Sequence, residues 1–170
     1  RMRLLFEMVS DEKLAGPVYT RPSVRGIILK GECVAMVHSL VYDYYKFPGG
    51  GIEGDEDQLA TLYREVAEEA GLKVIEGSAK PYGHVHRVEK SDQGGIFVQD
   101  NYYYLCQVAD QCIHQQLDDY EAKEQFTLEW VAWREAVRVN RQSDHGPKNQ
   151  NMLEREARVL EYLHAEGYLS

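Results

Sequence analysis

Gly50 to Leu72 reads GGIEGDEDQLATLYREVAEEAGL, and its second half has a helical period. Leu59, Leu62, Val66 and Ala70 recur at three- and four-residue spacing, so they share one face of a helix over Asp57–Ala70. Asp55 or Asp57 can cap its start, and Gly71 stands where a C-terminal glycine belongs. Glu65, Glu68 and Glu69 fall at i, i+3 and i+4 and crowd a different face. Carboxylates packed onto one turn repel one another unless a cation sits among them. Hard oxygen donors at this spacing select magnesium or manganese over zinc or copper. The plainer reading is a solvated acidic face with an Arg64–Glu68 ion pair.

Upstream of the helix, Val24–Leu29 and Cys33–Val37 are apolar runs split by Lys30-Gly31-Glu32, the pattern of a hairpin. Tyr44–Phe47 reads as a short strand ending at Pro48, and Gly49-Gly50-Gly51 as a turn. Downstream, Lys73–Val88 and Ile96–Val108 read as long strands joined by a turn at Ser91–Gly95. Asp118–Glu124 is acidic and loop-like, Phe126–Val131 a last strand and Trp133–Val139 a short helix. After the breaker Ser143–Lys148, an amphipathic helix over 149–166 carries Leu153, Ala157, Leu160 and Leu163 and stops at Gly167. Residues 1–20 read as an N-terminal extension or edge strand. Interleaved strands and helices predict an α/β fold with helices on both faces of a mixed sheet.

The chain has 170 residues, which suits a single domain spanning 1–170 with a full core. Its net charge of −9 argues against holding nucleic acid by the phosphate backbone, which needs a Lys/Arg footprint. A small anionic substrate then needs a local positive charge, and a divalent metal supplies one. Three cysteines, Cys33, Cys106 and Cys112, form neither a disulfide framework nor a zinc pattern and point to a reduced, cytoplasmic protein. The apolar patch Leu4-Leu5-Phe6 is too short for a signal peptide or membrane span, so no membrane association is expected. The opening Arg1 reads as a trimmed or tagged start.

The stretch from Gly50 to Leu72 resembles the Nudix box, G-x5-E-x7-R-E-U-x-E-E-x-G-U, where U is aliphatic. Gly50, Glu56, Arg64, Glu65, Val66, Glu68, Glu69, Gly71 and Leu72 fill its fixed positions without departure. The resemblance implies a Nudix-type α/β/α sandwich with a mixed sheet between helices. It implies a hydrolase that uses water to cleave the phosphoanhydride bond of a nucleoside diphosphate linked to another group. The cofactor implied is Mg2+, with Mn2+ as a substitute. Glu65, Glu68 and Glu69 would be metal ligands, and Glu56 would serve the metal at longer range or through water while tying the loop to the helix. Arg64 would hold Glu65 by an ion pair. Gly50 and Gly51 would let the backbone approach the phosphates where a Cβ would block it. The partner implied is a small nucleotide, and homodimers are common in the family. Members often draw a further Glu from a loop before the last strand. Glu124, six residues before Trp130, fits that pattern as ligand or general base, with Glu121 as its competitor.

An inactive member of the family, kept as a nucleotide-binding or sensing module, would show a damaged box, and here Glu65, Glu68 and Glu69 are all present. An isomerase on the same fold would need its own Cys and Glu, and nothing specific supports one. The family's proline marker for ADP-ribose and tyrosine marker for dinucleoside polyphosphates are both missing after the box, where His86-Arg87-Val88 and Glu89-Lys90 stand. Nucleoside triphosphates and nucleotide sugars both remain open. Tyr42, Tyr44, Tyr45 and Tyr102-Tyr103-Tyr104 are candidates to stack on a base, although tyrosine is also simply a good strand residue. His84 and His86 share a strand face, as a surface or substrate-contacting pair or as zinc ligands. Cys106 and Cys112 read as core or surface thiols.

Overall fold

The computed structural model describes residues 2–112, 114–142 and 144–170, and for Gln111 and Cys112 the backbone alone. The first third of the chain forms β1 (Leu4–Val9), β2 (Val18–Thr20), β3 (Ser23–Ile27), β4 (Leu29–Lys30), β5 (Cys33–Ser39), β6 (Tyr44–Lys46) and β7 (Gly49–Gly51). Then come α1 (Gln58–Ala70), β8 (Leu72–Val74), β9 (Lys80–Lys90), β10 (Ile96–Leu105) and β11 (Val108–Cys112). The last third holds α2 (Asp119–Lys123), β12 (Phe126–Ala132), α3 (Trp133–Asn140) and α4 (Gln150–Ala165).

The larger sheet runs β1-β9-β10-β3-β7, with β2 also paired to β10. It is mixed: β3 lies parallel to β10, whereas β9 and β7 run antiparallel to their neighbours. The smaller sheet runs β12-β5-β4, with β6 on the second edge of part of β5. Strand β5 shows how the layers arise. Successive side chains alternate, so Val34 and Met36 enter one apolar cluster while Ala35 and Val37 enter the other. The first cluster takes Ala136 and Val139 of α3 and Leu160 and Leu163 of α4. The second takes Leu62, Val66 and Ala70 of α1. The sheets therefore lie between helices on both faces, which is the α/β architecture expected. No described helix is long and apolar enough to cross a membrane.

Several boundaries differ from the sequence reading. The Lys73–Val88 run is two strands, because the chain turns at 75–79, where Ser78 donates from its backbone N–H and from Oγ to the Ile75 carbonyl. The Ile96–Val108 run also breaks, after Leu105, and β11 pairs with β8 instead. The Val24–Leu29 run divides between the two sheets at Ile28. The triple glycine forms a strand against β3, with Gly49 opposite Arg25 and Gly51 opposite Ser23. The acidic Asp118–Glu124 segment, read as a loop, contains a helix. Asp118 accepts from the Glu121 N–H while the Glu121 side chain accepts from the Asp118 N–H, a complete capping box.

Candidate active site

Helix α1 starts at Asp57, whose side chain accepts from Ala60 N at 2.8 Å, and ends at Gly71 with φ of 68°. Its apolar stripe on the sheet fixes the direction of its acidic face. Arg64 gathers most of that face. Its guanidinium donates to Glu56 at 2.6 and 2.8 Å, to Glu65 at 2.7 Å, to Glu68 at 3.2 Å and to the Gly51 carbonyl at 3.2 Å. A planar fork of donors is suited to such bridging. The Arg64 contact, followed by the Glu53 N–H, holds the Glu56 carboxyl down at about 2. Glu56 thus ties the loop to the helix.

Gly50 lies hard against this cluster. A Cβ there would stand 2.3 Å from Glu65 Oε2. The obstacle is the end of a flexible side chain, so the fold can absorb an alanine but Glu65 must move. Gly50→Ala is expected to lower Tm by only about 2–4 °C while reducing turnover at least about tenfold, which calorimetry and steady-state rates will read separately.

Glu69 sits deeper, only 1% exposed. Its Oε1 accepts from Gly49 N at 3.2 Å, and Oε2 lies 3.0 Å from Lys46 Nζ without a directed hydrogen bond. Lys46 rises from β6 into this corner over the Phe126 ring. Burial alone would lower its pKa, but the Glu69 charge raises it. Glu121 approaches from α2, and burial first, then hydrogen bonding to Glu69, push its carboxyl up to about 8. Glu65 is also raised, by burial first and then by the charges of Glu69 and Glu68, against the lowering effect of Arg64. The Glu69 charge thus acts on both Glu65 and Glu121, although the three do not converge as a metal cage.

Lys46, Glu65 and Glu121 border a cavity of about 400 Å³, which the buried Glu69 does not line. Gly49, Gly50, Gly51, Glu65 and Glu121 line one part of it. Arg21, Arg25, Lys46 and Lys148 also line it, together with Glu53 and Asp118, so the cavity brings basic side chains and carboxylates together in a protein of net charge −9. Tyr44, Tyr120 and Met152 add apolar surface.

The sequence candidates fall into place unevenly. Glu65 lines the cavity, whereas Glu69 is buried against the lining residue Lys46 and does not line it itself. Glu56 and Glu68 lie behind the cavity on Arg64. Glu124 does not line the cavity: its carboxylate accepts from Ser39 Oγ at 2.9 Å, Tyr44 OH at 2.8 Å and Lys148 Nζ at 2.7 Å. The capping box turns Glu121 inward and leaves Glu124 as the C-cap of α2. Of the tyrosines singled out, Tyr44 reaches the cavity, whereas Tyr103 is buried against Glu156 and Tyr104 bonds Gln58. His86 bonds Asp100 at 2.9 Å, with His84 4.0 Å from the same carboxylate. Cys106 is a core thiol, pushed up to about 12 by burial. The Cys112 side chain lies outside the described residues.

Among the described residues, no three His, Cys, Asp or Glu side chains already converge as a metal cage. The residues nevertheless fit a divalent cation of the magnesium type. The donors are all carboxylate oxygens, and Glu69 Oε2 is buried without a hydrogen bond, faced only by the Lys46 ammonium at 3.0 Å. Lys46, Arg21, Arg25 and Tyr120 were not singled out by sequence reasoning. A lone lysine between buried aromatics in YYKFP was the available signal for Lys46.

A family model described as the NUDIX domain matches residues 20–155, and the chain belongs to that family of pyrophosphohydrolases. A NUDIX hydrolase from Nitrosomonas europaea superposes with a TM-score of 0.63 at 17% identity, covering 87% of this chain and 90% of that one. MutT from Aliivibrio salmonicida and Vibrio cholerae gives 0.56 at 19% identity, over 87% and 99% of the two chains. A MutT NUDIX hydrolase from Burkholderia pseudomallei gives 0.56 at 17%, over 84% and 97%. At these identities the likeness is one of fold. No protein of curated function matches the chain by sequence.

Proposed function

We propose that the chain hydrolyses a phosphoanhydride bond in a nucleoside diphosphate linked to a further group, with Mg2+ as cofactor and Mn2+ as a substitute. The observation that carries this reading is a cavity lined by the glycine strand, by Glu65 and Glu121, and by Arg21, Arg25, Lys46 and Lys148. Glu65 and Glu69 would hold the cation, which when bound neutralises the diphosphate and acidifies the attacking water. Glu56 and Glu68 serve it indirectly through Arg64, which fixes Glu65.

The remaining steps belong to the chain. Gly50 and Gly51 offer backbone without side chains, so phosphate oxygens approach closely. Arg21, Arg25 and Lys148 offset the substrate's charge. Glu121 takes the proton as the water oxygen bonds phosphorus and the anhydride P–O bond breaks. It is preferred to Glu124, whose oxygens are already held by three donors. Tyr120, 47% exposed at the cavity, offers a ring for the base.

A panel of nucleoside triphosphates and nucleotide sugars, followed by 31P NMR with Mg2+ and with EDTA, tests this reading. Turnover of at least one compound, abolished by EDTA, is expected. Binding without turnover across both classes would instead favour a sensing module.

A further inference from the structure

The strand that delivers the glycines is held on its outer edge by side chains rather than by another strand. On its inner edge β6 pairs with β5. On the outer edge, Asn140 of α3 accepts from Tyr45 N at 2.7 Å and donates to Tyr45 O at 2.8 Å. Two residues on, Glu156 of α4 accepts from Phe47 N at 3.1 Å, and Arg25 donates to Phe47 O at 2.9 Å. Two residues further, Glu69 of α1 accepts from Gly49 N. Helices α3, α4 and α1 thus each supply one acceptor to the segment that bends from β6 into β7, at residues 45, 47 and 49.

Glu156 is the unexpected member. It is fully buried at 0% exposure, where a neutral acceptor would satisfy an N–H at lower desolvation cost. Its other partners are Tyr103 OH at 2.6 Å, Arg155 Nη2 at 3.3 Å and Arg25 Nε at 3.8 Å. Burial would raise this carboxyl, but Arg155 and then Arg25 hold it below the usual range. Arg25 also lines the cavity. The carboxylate therefore binds, in one cluster, the segment before the glycines and an arginine of the cavity.

We infer that Glu156 is a positioning residue for the hydrolytic site. Its hydrogen bond to Phe47 sets the path of the chain through Pro48, so that the Gly49 N–H meets Glu69 and the glycines face the cavity. The inference rests on the proposed hydrolysis for its kinetic consequence, while its structural consequence stands apart from that reading.

The test uses a background in which Arg155→Met removes one buried charge, so that a second neutral substitution leaves the net charge of the cluster as it was. Glu156→Gln and Glu156→Met are compared there. Gln keeps an acceptor for Phe47, and Met fills similar space without one. Amide hydrogen exchange is measured at residues 45, 47 and 49 without metal, and kcat and KM are measured well below each Tm. The Gln variant should keep Phe47 and Gly49 protection and a kcat within about threefold of its background. The Met variant should lose protection at both positions and at least about tenfold in kcat, with a smaller change in KM. Equal behaviour of the two folded variants, in exchange or in kcat, would overturn the inference. The expected exchange pattern without turnover in the parent would leave the positioning standing and sink the hydrolysis. The unmodified chain gives an independent check: Phe47 and Gly49 amides that exchange as fast as an exposed loop would overturn the inference even if the Met variant failed to fold.

Discussion

Glu69→Gln is expected to lower kcat at least about a hundredfold while the protein stays folded. The substitution keeps an acceptor for Gly49 N but removes the charge that the site offers a cation. It also removes a charge that raises the Glu121 carboxyl, so Glu121 ionises more readily and takes over as partner to the buried Lys46. That replacement is why the loss should appear in turnover more than in Tm. Inductively coupled plasma analysis of bound Mn2+ should show weaker retention beside the kinetic loss. A variant with near wild-type turnover on any good substrate would remove Glu69 from the site.

Glu121→Gln should be comparably severe, since a positioned base contributes about a hundredfold or more, and Glu124→Gln should be mild by comparison. The distinction is geometric: Glu121 borders the cavity, whereas Glu124 is spent on Ser39, Tyr44 and Lys148. The pH profile gives the sign. A carboxyl accepts a proton only when ionised, so the wild-type rate should rise as pH increases through the Glu121 pKa. Without metal that value stands at about 8, and a bound cation moves it down. The Gln variant should lose this acid limb, and the Glu124 variant should keep it. An unchanged limb in Glu121→Gln, with the limb lost in Glu124→Gln, would return the role to Glu124.

The helix and its acids were legible because they depend on local rules. A stripe at helical spacing, a capping aspartate and a terminal glycine define α1, and the face that remains carries Glu65 and Glu69. Choosing between Glu121 and Glu124 was harder. Spacing to Trp130 favoured Glu124, yet the D-x-x-E pattern of Asp118 and Glu121 is itself a helix-start signal. In so acidic a stretch it resembles a solvated loop. The division of Val24–Leu29 between two sheets was hidden because no breaker marks Ile28. Lys46 and Glu156 were hidden for a related reason. Charged residues in strands and helices usually face water, and only the fold brings Lys46 to Glu69, or Glu156 to Phe47 and two arginines.

Tertiary placement also changes what the box residues do. Read in sequence, Glu56, Glu65, Glu68 and Glu69 form one acidic set. In the fold, Arg64 draws Glu56, Glu68 and one oxygen of Glu65 to itself, while Glu69 stays inside against Lys46. The site's charge thus divides into a structural half that fixes the loop and an inner half left to meet a cation.

A crystal structure of the chain with Mn2+ and a non-hydrolysable nucleotide tests the central claim most directly, because manganese can be located by its anomalous scattering. The predicted result is a manganese peak bound by Glu65 and Glu69, with Glu121 facing it and the nucleotide's diphosphate between the ion and Gly50–Gly51. A nucleotide bound outside this cavity, or Glu69 still paired with Lys46 and no manganese peak beside it at saturating metal, would contradict the account.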